Sequence, residues 1–206
     1  MGNSPRIEFY FDPICPWCWM TSRWAHEVSE ARGFNIVWNP ISLKIINEGK
    51  ANDSHAEHHA TGHRFGRVVE AARVAVGEGA EGDAVVGRLY TEIGTRVHPG
   101  GRTDSDAILA EALEAVGLDV SLAAAADSEA SDEKLRANTT HALDIAGPDV
   151  GVPIISIDGV AFFGPVVSPA PTGEMALRLW DGIAAAASVP GFYELKRGRT
   201  VGPQFG

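Results

Sequence analysis

Hydrophobic and polar positions change their period several times along the chain, and each change marks an element. Arg6-Ile-Glu-Phe-Tyr-Phe11 is a β-branched and aromatic run stopped by Asp12-Pro13, which predicts a buried first strand. From Pro16 to about Ala31 the apolar residues Trp19, Met20, Trp24 and Val28 recur at helical spacing, and Gly33 supplies the stop. Phe34 to Trp38 predicts a second strand ended by Asn39-Pro40, so the first three elements form a parallel βαβ unit. Between Leu43 and Ala146 the pattern turns helical, rich in Ala, Glu and Arg and almost without strand signal. Within it Asp104 or Ser105 caps a helix over Ala107–Val116 that Gly117 closes, and another helix is expected from Asp127 to Ala146. Strand pattern returns at Pro153–Ile157, Asp158-Gly159 is a hairpin turn, and Val160–Phe163 pairs back. A last helix over Gly173–Ala187 puts Leu177, Trp180, Ile183 and Ala184 on one face, before a segment of irregular composition. The predicted architecture is α/β: residues 1–42 and 147–206 make one domain, and residues 43–146 a helical domain inserted into it.

Composition narrows the class without changing that outline. In 206 residues, 45% hydrophobic and 21% charged positions are enough for a packed core without staples. The net charge of −10, with no basic stripe, argues against nucleic acid or an anionic membrane as partner. Met1 to Arg6 begins no signal peptide, and no run approaches the roughly 20 apolar residues of a membrane span. A cytoplasmic location is expected, where thiols stay reduced and a close cysteine pair is catalytic or metal-binding rather than structural.

The only cysteines form Cys15-Pro16-Trp17-Cys18 at a helix start after the first strand. A zinc half-site and an inert buried pair are the alternatives to redox chemistry. Zinc needs two further ligands, and the histidines at 55, 58, 59 and 63 stand about 40 residues downstream of the pair, far from finger spacing. Context favours redox chemistry. The free N–H groups and dipole of a helix N-terminus stabilise thiolate at Cys15, the expected nucleophile, and Cys18, one turn inside, resolves the mixed disulfide. Pro16 costs no hydrogen bond at the first helical position, and Trp17 offers a flat apolar surface. Val152-Pro153 precedes the third strand; a cis bond there brings the backbone of Val152 towards the cysteines, to pair with an extended substrate.

Other patterns carry less. His55, His59 and His63 recur at one helix face and read as a solvated face rather than a metal site, so no metal is expected. Gly77-Glu-Gly-Ala-Glu-Gly82 matches a nucleotide fingerprint literally, but it follows a helical pattern and carries two carboxylates that repel phosphate, so it reads as a loop. Trp19 and Trp24 have the spacing of core residues.

The segment Phe11-Asp-Pro-Ile-Cys-Pro-Trp-Cys-Trp-Met-Thr-Ser-Arg-Trp24, with Gly151-Val-Pro153 and Asp158-Gly-Val-Ala-Phe-Phe-Gly-Pro165, resembles the DsbA-like thioredoxin-fold family with a helical insertion. Within that family the chain, including Phe192-Tyr-Glu-Leu-Lys-Arg197, is most similar to the mycothiol-dependent reductases and nitroreductases of actinobacteria. The resemblance implies a thioredoxin-like fold and a thiol–disulfide oxidoreductase that binds no cofactor. Mycothiol is the implied electron-donating cosubstrate, and a disulfide or a small electrophile, nitroaromatics included, the acceptor. It maps the reactive cysteine to Cys15, the resolving one to Cys18, the intervening tryptophan to Trp17 and the cis-proline to Pro153. It also brings Asn47 and His98 to the substrate cleft. One departure stands out: the lid helix of this group carries a tyrosine, whereas His55 to His63 contains none. Two rival functions remain. A 2-hydroxychromene-2-carboxylate isomerase or kappa glutathione transferase uses the same fold with no need of Cys18, and a redox-switched binding or chaperone protein captures partners without turnover. The sequence sets no oligomeric state, a homodimer included.

Overall fold

The computed structural model of the protein describes residues 5–50 and 53–205. Strand β1 (Ile7–Phe11) lies inside a four-stranded sheet of order β2-β1-β3-β4, parallel to β2 (Ile36–Pro40) and antiparallel to β3 (Ile154–Ile157), which pairs with β4 (Val160–Phe163). Helix α1 (Pro16–Arg32) makes the crossover from β1 to β2 and ends where Gly33 takes the left-handed conformation at φ 71°. The β3–β4 turn is the predicted Asp158-Gly159 pair, both at positive φ.

Strand β2 runs two residues later than its pattern predicts and includes Asn39 and Pro40. The N–H of Ile41 donates to Phe11 O at 2.8 Å, so by alternation the missing N–H of Pro40 falls on the outer side of an edge strand, where it costs no ladder bond.

Between β2 and β3 the described chain is helical: α2 (Leu43–Ile46), α3 (Ala56–Val76), α4 (Ala80–Val97), α5 (Ser105–Ala115), two short 3-10 turns, and α6 (Asp132–Ala146). Helix α6 begins five residues later than expected, because residues 120–131 wind into the 3-10 turns and Asp132 pairs with Arg67 at 2.6 Å. Helix α7 (Gly173–Ala187) matches its predicted bounds and packs on α1, with Trp24 Nε1 donating to Ala176 O at 3.0 Å. The glycine-rich fingerprint links α3 to α4: Gly77 and Gly79 are the caps and Gly82 already lies in α4, so the predicted loop covers three residues rather than six.

One continuous core joins sheet and helices. Phe9 and Phe11 of β1 meet Trp38 of β2 and Tyr90 of α4, the Phe11 and Tyr90 rings stacking at 3.9 Å. Trp19 and Trp24 are buried in it, as their spacing indicates. No helix among the described residues is long and apolar enough to cross a membrane.

Candidate active site

The site grows from the turn that carries β1 into α1. Asp12 is fully buried, and its carboxylate accepts N–H bonds from Ile14 at 3.0 Å and from Leu43 at 2.8 Å, while its carbonyl accepts the N–H of Cys15 at 3.0 Å. These bonds fold residues 12–15 into a tight turn, fasten it to α2, and deliver Cys15 to the N-cap of α1. Burial pushes the Asp12 carboxyl up to about 6, against the two N–H bonds that favour its ionised form.

Cys15 and Cys18 are both free thiols. Cys15 Sγ accepts the N–H of Cys18 at 3.4 Å and lies 3.9 Å from the carbonyl of Val152, towards which its S–H is directed. The Val152–Pro153 peptide bond is cis. The outer sulfur is thus held between a helix N-terminus and the backbone before β3. Cys15 is 6% exposed and Cys18 fully buried. Burial, and then the neighbouring Cys15, drive the Cys18 thiol well above the ordinary range. Pro16 occupies the first helical position, and Trp17 is half-buried beside the sulfurs under the guanidinium of Arg199, whose Cζ lies 4.8 Å from the ring centroid.

Two histidines from the helical segment close on the same turn. His98 Nε2 lies 3.3 Å from Pro13 O, and His58 Nε2 lies 3.2 Å from Ile14 O. Each ring can serve as an Nε2–H donor to one of these successive carbonyls, which favours the tautomer with the proton on Nε2. Desolvation holds His98 down at about 4 and also lowers His58. His98 stacks on Trp19 at 5.6 Å and meets the Phe205 ring, tilted by 37°, at 5.6 Å. Beside this pair opens a cavity of about 270 Å3 whose walls include Ile14, Pro16, His58, Val97, His98 and Phe205. It adjoins the turn on both sides of Cys15.

The structure therefore gathers Cys15, Pro16, Trp17, Cys18, Val152, Pro153 and His98. It places Asn47 differently. That side chain caps α2, its Nδ2 donating to Leu43 O at 2.8 Å and its Oδ1 accepting from Lys50 at 3.0 Å, and it does not line the cavity. Of the expected solvated histidine face only His55 is exposed. His59 and His63 point inward, His59 Nδ1 bonding Asp53 at 2.7 Å and His63 linking Ser42 (2.9 Å) to Asp132 (3.2 Å), because α3 lays this face on the α2 and α6 termini. Among the described residues no group of three potential ligands is placed to hold a metal ion. Asp12, His58, Arg199 and Phe205 belong to the site without having been singled out for it from sequence. Asp12 had a signal, an Asp two residues before a backbone N–H it can turn back to accept; the others had none.

A family model described as Rv2466c-like, mycothiol-dependent nitroreductase Rv2466c, matches residues 14–197. A Mycobacterium tuberculosis protein described as uncharacterized protein Rv2286c is 31% identical over 197 residues, covering 93% of this chain and 81% of its own. Many solved structures share the fold, two of them as follows. A 2-hydroxychromene-2-carboxylate isomerase superposes with a TM-score of 0.57 at 18% identity, over 87% of this chain and 93% of its own. DsbA of Chlamydia trachomatis gives 0.56 at 13% identity, over 91% and 90%. The fold is thioredoxin-like, of the DsbA type. With the family model spanning both cysteines, Pro153 and the whole helical segment, the chain belongs to the Rv2466c-like family.

Proposed function

We propose that the protein is a thiol–disulfide oxidoreductase in which Cys15 attacks and Cys18 resolves. The observation that carries this reading is the asymmetry of the pair: Cys15 caps a helix and meets the Val152 carbonyl, whereas Cys18 is sealed one turn behind it. Cys15 thiolate attacks one sulfur of a disulfide substrate and expels the other as thiolate; Cys18 thiolate then attacks Cys15 Sγ, releases the second thiol and closes the Cys15–Cys18 disulfide. The substrate gains two electrons and two protons. Two molecules of a small thiol return them and leave as its disulfide. The family's description supports mycothiol as that thiol, and supports nitroaromatics among the acceptors. Under this reading the protein works in a compartment that keeps thiols reduced, and residues 43–146 form a lid domain, with His58 and His98 fixing the turn below Cys15.

A coupled assay with mycothiol, glutathione and thioredoxin as competing reductants tests the proposal on wild type, Cys15→Ser and Cys18→Ser. The expected result is preference for mycothiol, loss of turnover in Cys15→Ser, and a trapped mixed disulfide in Cys18→Ser. Activity surviving in Cys15→Ser overturns it. Full turnover in Cys18→Ser transfers the protein to the single-thiol isomerase reading.

A further inference from the structure

The segment that follows α7 has neither helix nor strand between residues 192 and 205, yet it returns to the cysteine site. Phe192 packs edge-on against Phe162 of β4 at 5.8 Å. Arg199 lies over Trp17. Ser168 Oγ donates to Gly202 O at 2.9 Å and accepts the N–H of Gln204 at 2.9 Å, and Phe205 then enters the cavity wall and meets the His98 ring at a tilt. Phe205 lies six residues on from Arg199, a reach of about 20 Å when extended, enough to bridge both flanks of Cys15.

We propose that this segment sets the size of substrate that reaches Cys15, with Arg199 and Phe205 as its specificity-determining residues. The inference rests on the reading of Cys15 as the reacting sulfur. Trp17 and the cavity wall at Ile14 and Pro16 are the chain neighbours of Cys15 that a substrate on its sulfur can lean against, and each surface carries one side chain from this segment. A small thiol or electrophile fits the cavity beneath it. A disulfide within a folded protein needs a broad open approach to Cys15, and a segment held over Trp17 and at the cavity wall narrows it. Its hold is light: Tyr193 and Leu195 are 86% and 90% exposed, and the anchors are a few isolated side-chain contacts rather than a buried face. Such a segment opens and closes without disturbing the core.

Cys15 alkylation tests this independently of turnover. In a Cys18→Ser background, rates are compared for N-ethylmaleimide and for the same maleimide on a polyethylene glycol chain. The chains are the full protein, an Arg199→Ala/Phe205→Ala variant, and a chain ending at Gly191. If the closed state holds about nine molecules in ten, both alterations raise the bulky-to-small rate ratio about tenfold. An unchanged ratio in the point variant overturns the proposal, whether or not the shortened chain folds. Slow reaction of every chain with the small reagent counts instead against Cys15 as the nucleophile, since the ratio reports the segment and the absolute rate reports the sulfur.

Discussion

Gly62 sits in the middle of α3, where alanine favours the helix by about 1 kcal/mol, so Gly62→Ala would stabilise an isolated helix. In the protein it meets the active-site turn. A Cβ at position 62 lies 2.3 Å from Asp12 Oδ1 and 2.7 Å from Ile14 Cγ2, whereas ordinary contact begins at 3.4 Å. The carboxylate must retreat by roughly 1 Å to restore contact distance. That oxygen accepts the Ile14 N–H at 3.0 Å, and a retreat of this size breaks the bond. A hydrogen bond to a charged acceptor contributes about 1.5–3 kcal/mol, and overpacking costs about 1–3 kcal/mol more. Set against the helix gain, the variant is expected to lose about 1.5–5 kcal/mol. Because the same turn delivers the Cys15 N–H to Asp12 O, the alkylation rate of Cys15 should change with it. Urea unfolding followed by circular dichroism reads the first effect. Gly182→Ala in α7, whose added Cβ meets nothing within 4 Å, is the control and should gain up to about 1 kcal/mol. If Gly62→Ala is as stable as that control, Asp12 is not pinned between α3 and the turn, and the account of how Cys15 is positioned fails.

Three further outcomes follow from buried charges. The Asp12 carboxyl is raised to about 6 from 3.8, so its contribution to stability is complete below pH 3.8 and is lost as pH rises through 6. Asp12→Asn does not titrate, and its stability relative to wild type should improve by about 2.4 kcal/mol between pH 4 and 7; a pH-independent difference in urea unfolding refutes this. His98 has the opposite sign: held down at about 4, it contributes stability above pH 6.5 that disappears as pH falls towards 4. His98→Phe keeps the stack on Trp19 and loses the bond to Pro13 O, so it should start about 1 kcal/mol less stable at pH 7 and lose about 3 kcal/mol less than wild type on acidification to pH 4. Equal acid sensitivity of the two proteins would sink that assignment. Arg73 bonds Asp83 and the Trp38 carbonyl and lies 3.4 Å from Glu70, which is 1% exposed. Arg73→Met should cost about 3–5 kcal/mol by stranding Glu70, and adding Glu70→Met should recover part of it; a double variant no better than the single one argues against the pair.

The sequence by itself determined what neighbours a few residues apart decide. The Asp158-Gly159 turn, the Gly33 stop and the bounds of α7 follow from backbone preferences, and Cys15-Pro16-Trp17-Cys18 at a helix start fixes which sulfur caps the helix and which lies a turn inside. Where a local signal is weak against tertiary demands it slipped: Asn39-Pro40 reads as a stop, but an edge strand has room for a proline, and the Asp127–Ala146 pattern is helical from its start, but Arg67 draws Asp132 to the beginning of α6. Only the tertiary structure decided what converges on the cysteines. Asp12 meets the N–H of Leu43, 31 residues on; His98 reaches Pro13 across 85; and the segment of Arg199 and Phe205 returns to the turn at Ile14–Trp17 from beyond the last helix. These groups share no periodicity with the motif they serve. They are brought to it by the sheet order and by packing of α2, α3 and α4 against one buried turn, and a buried polar group acquires its role from the partners that packing gives it.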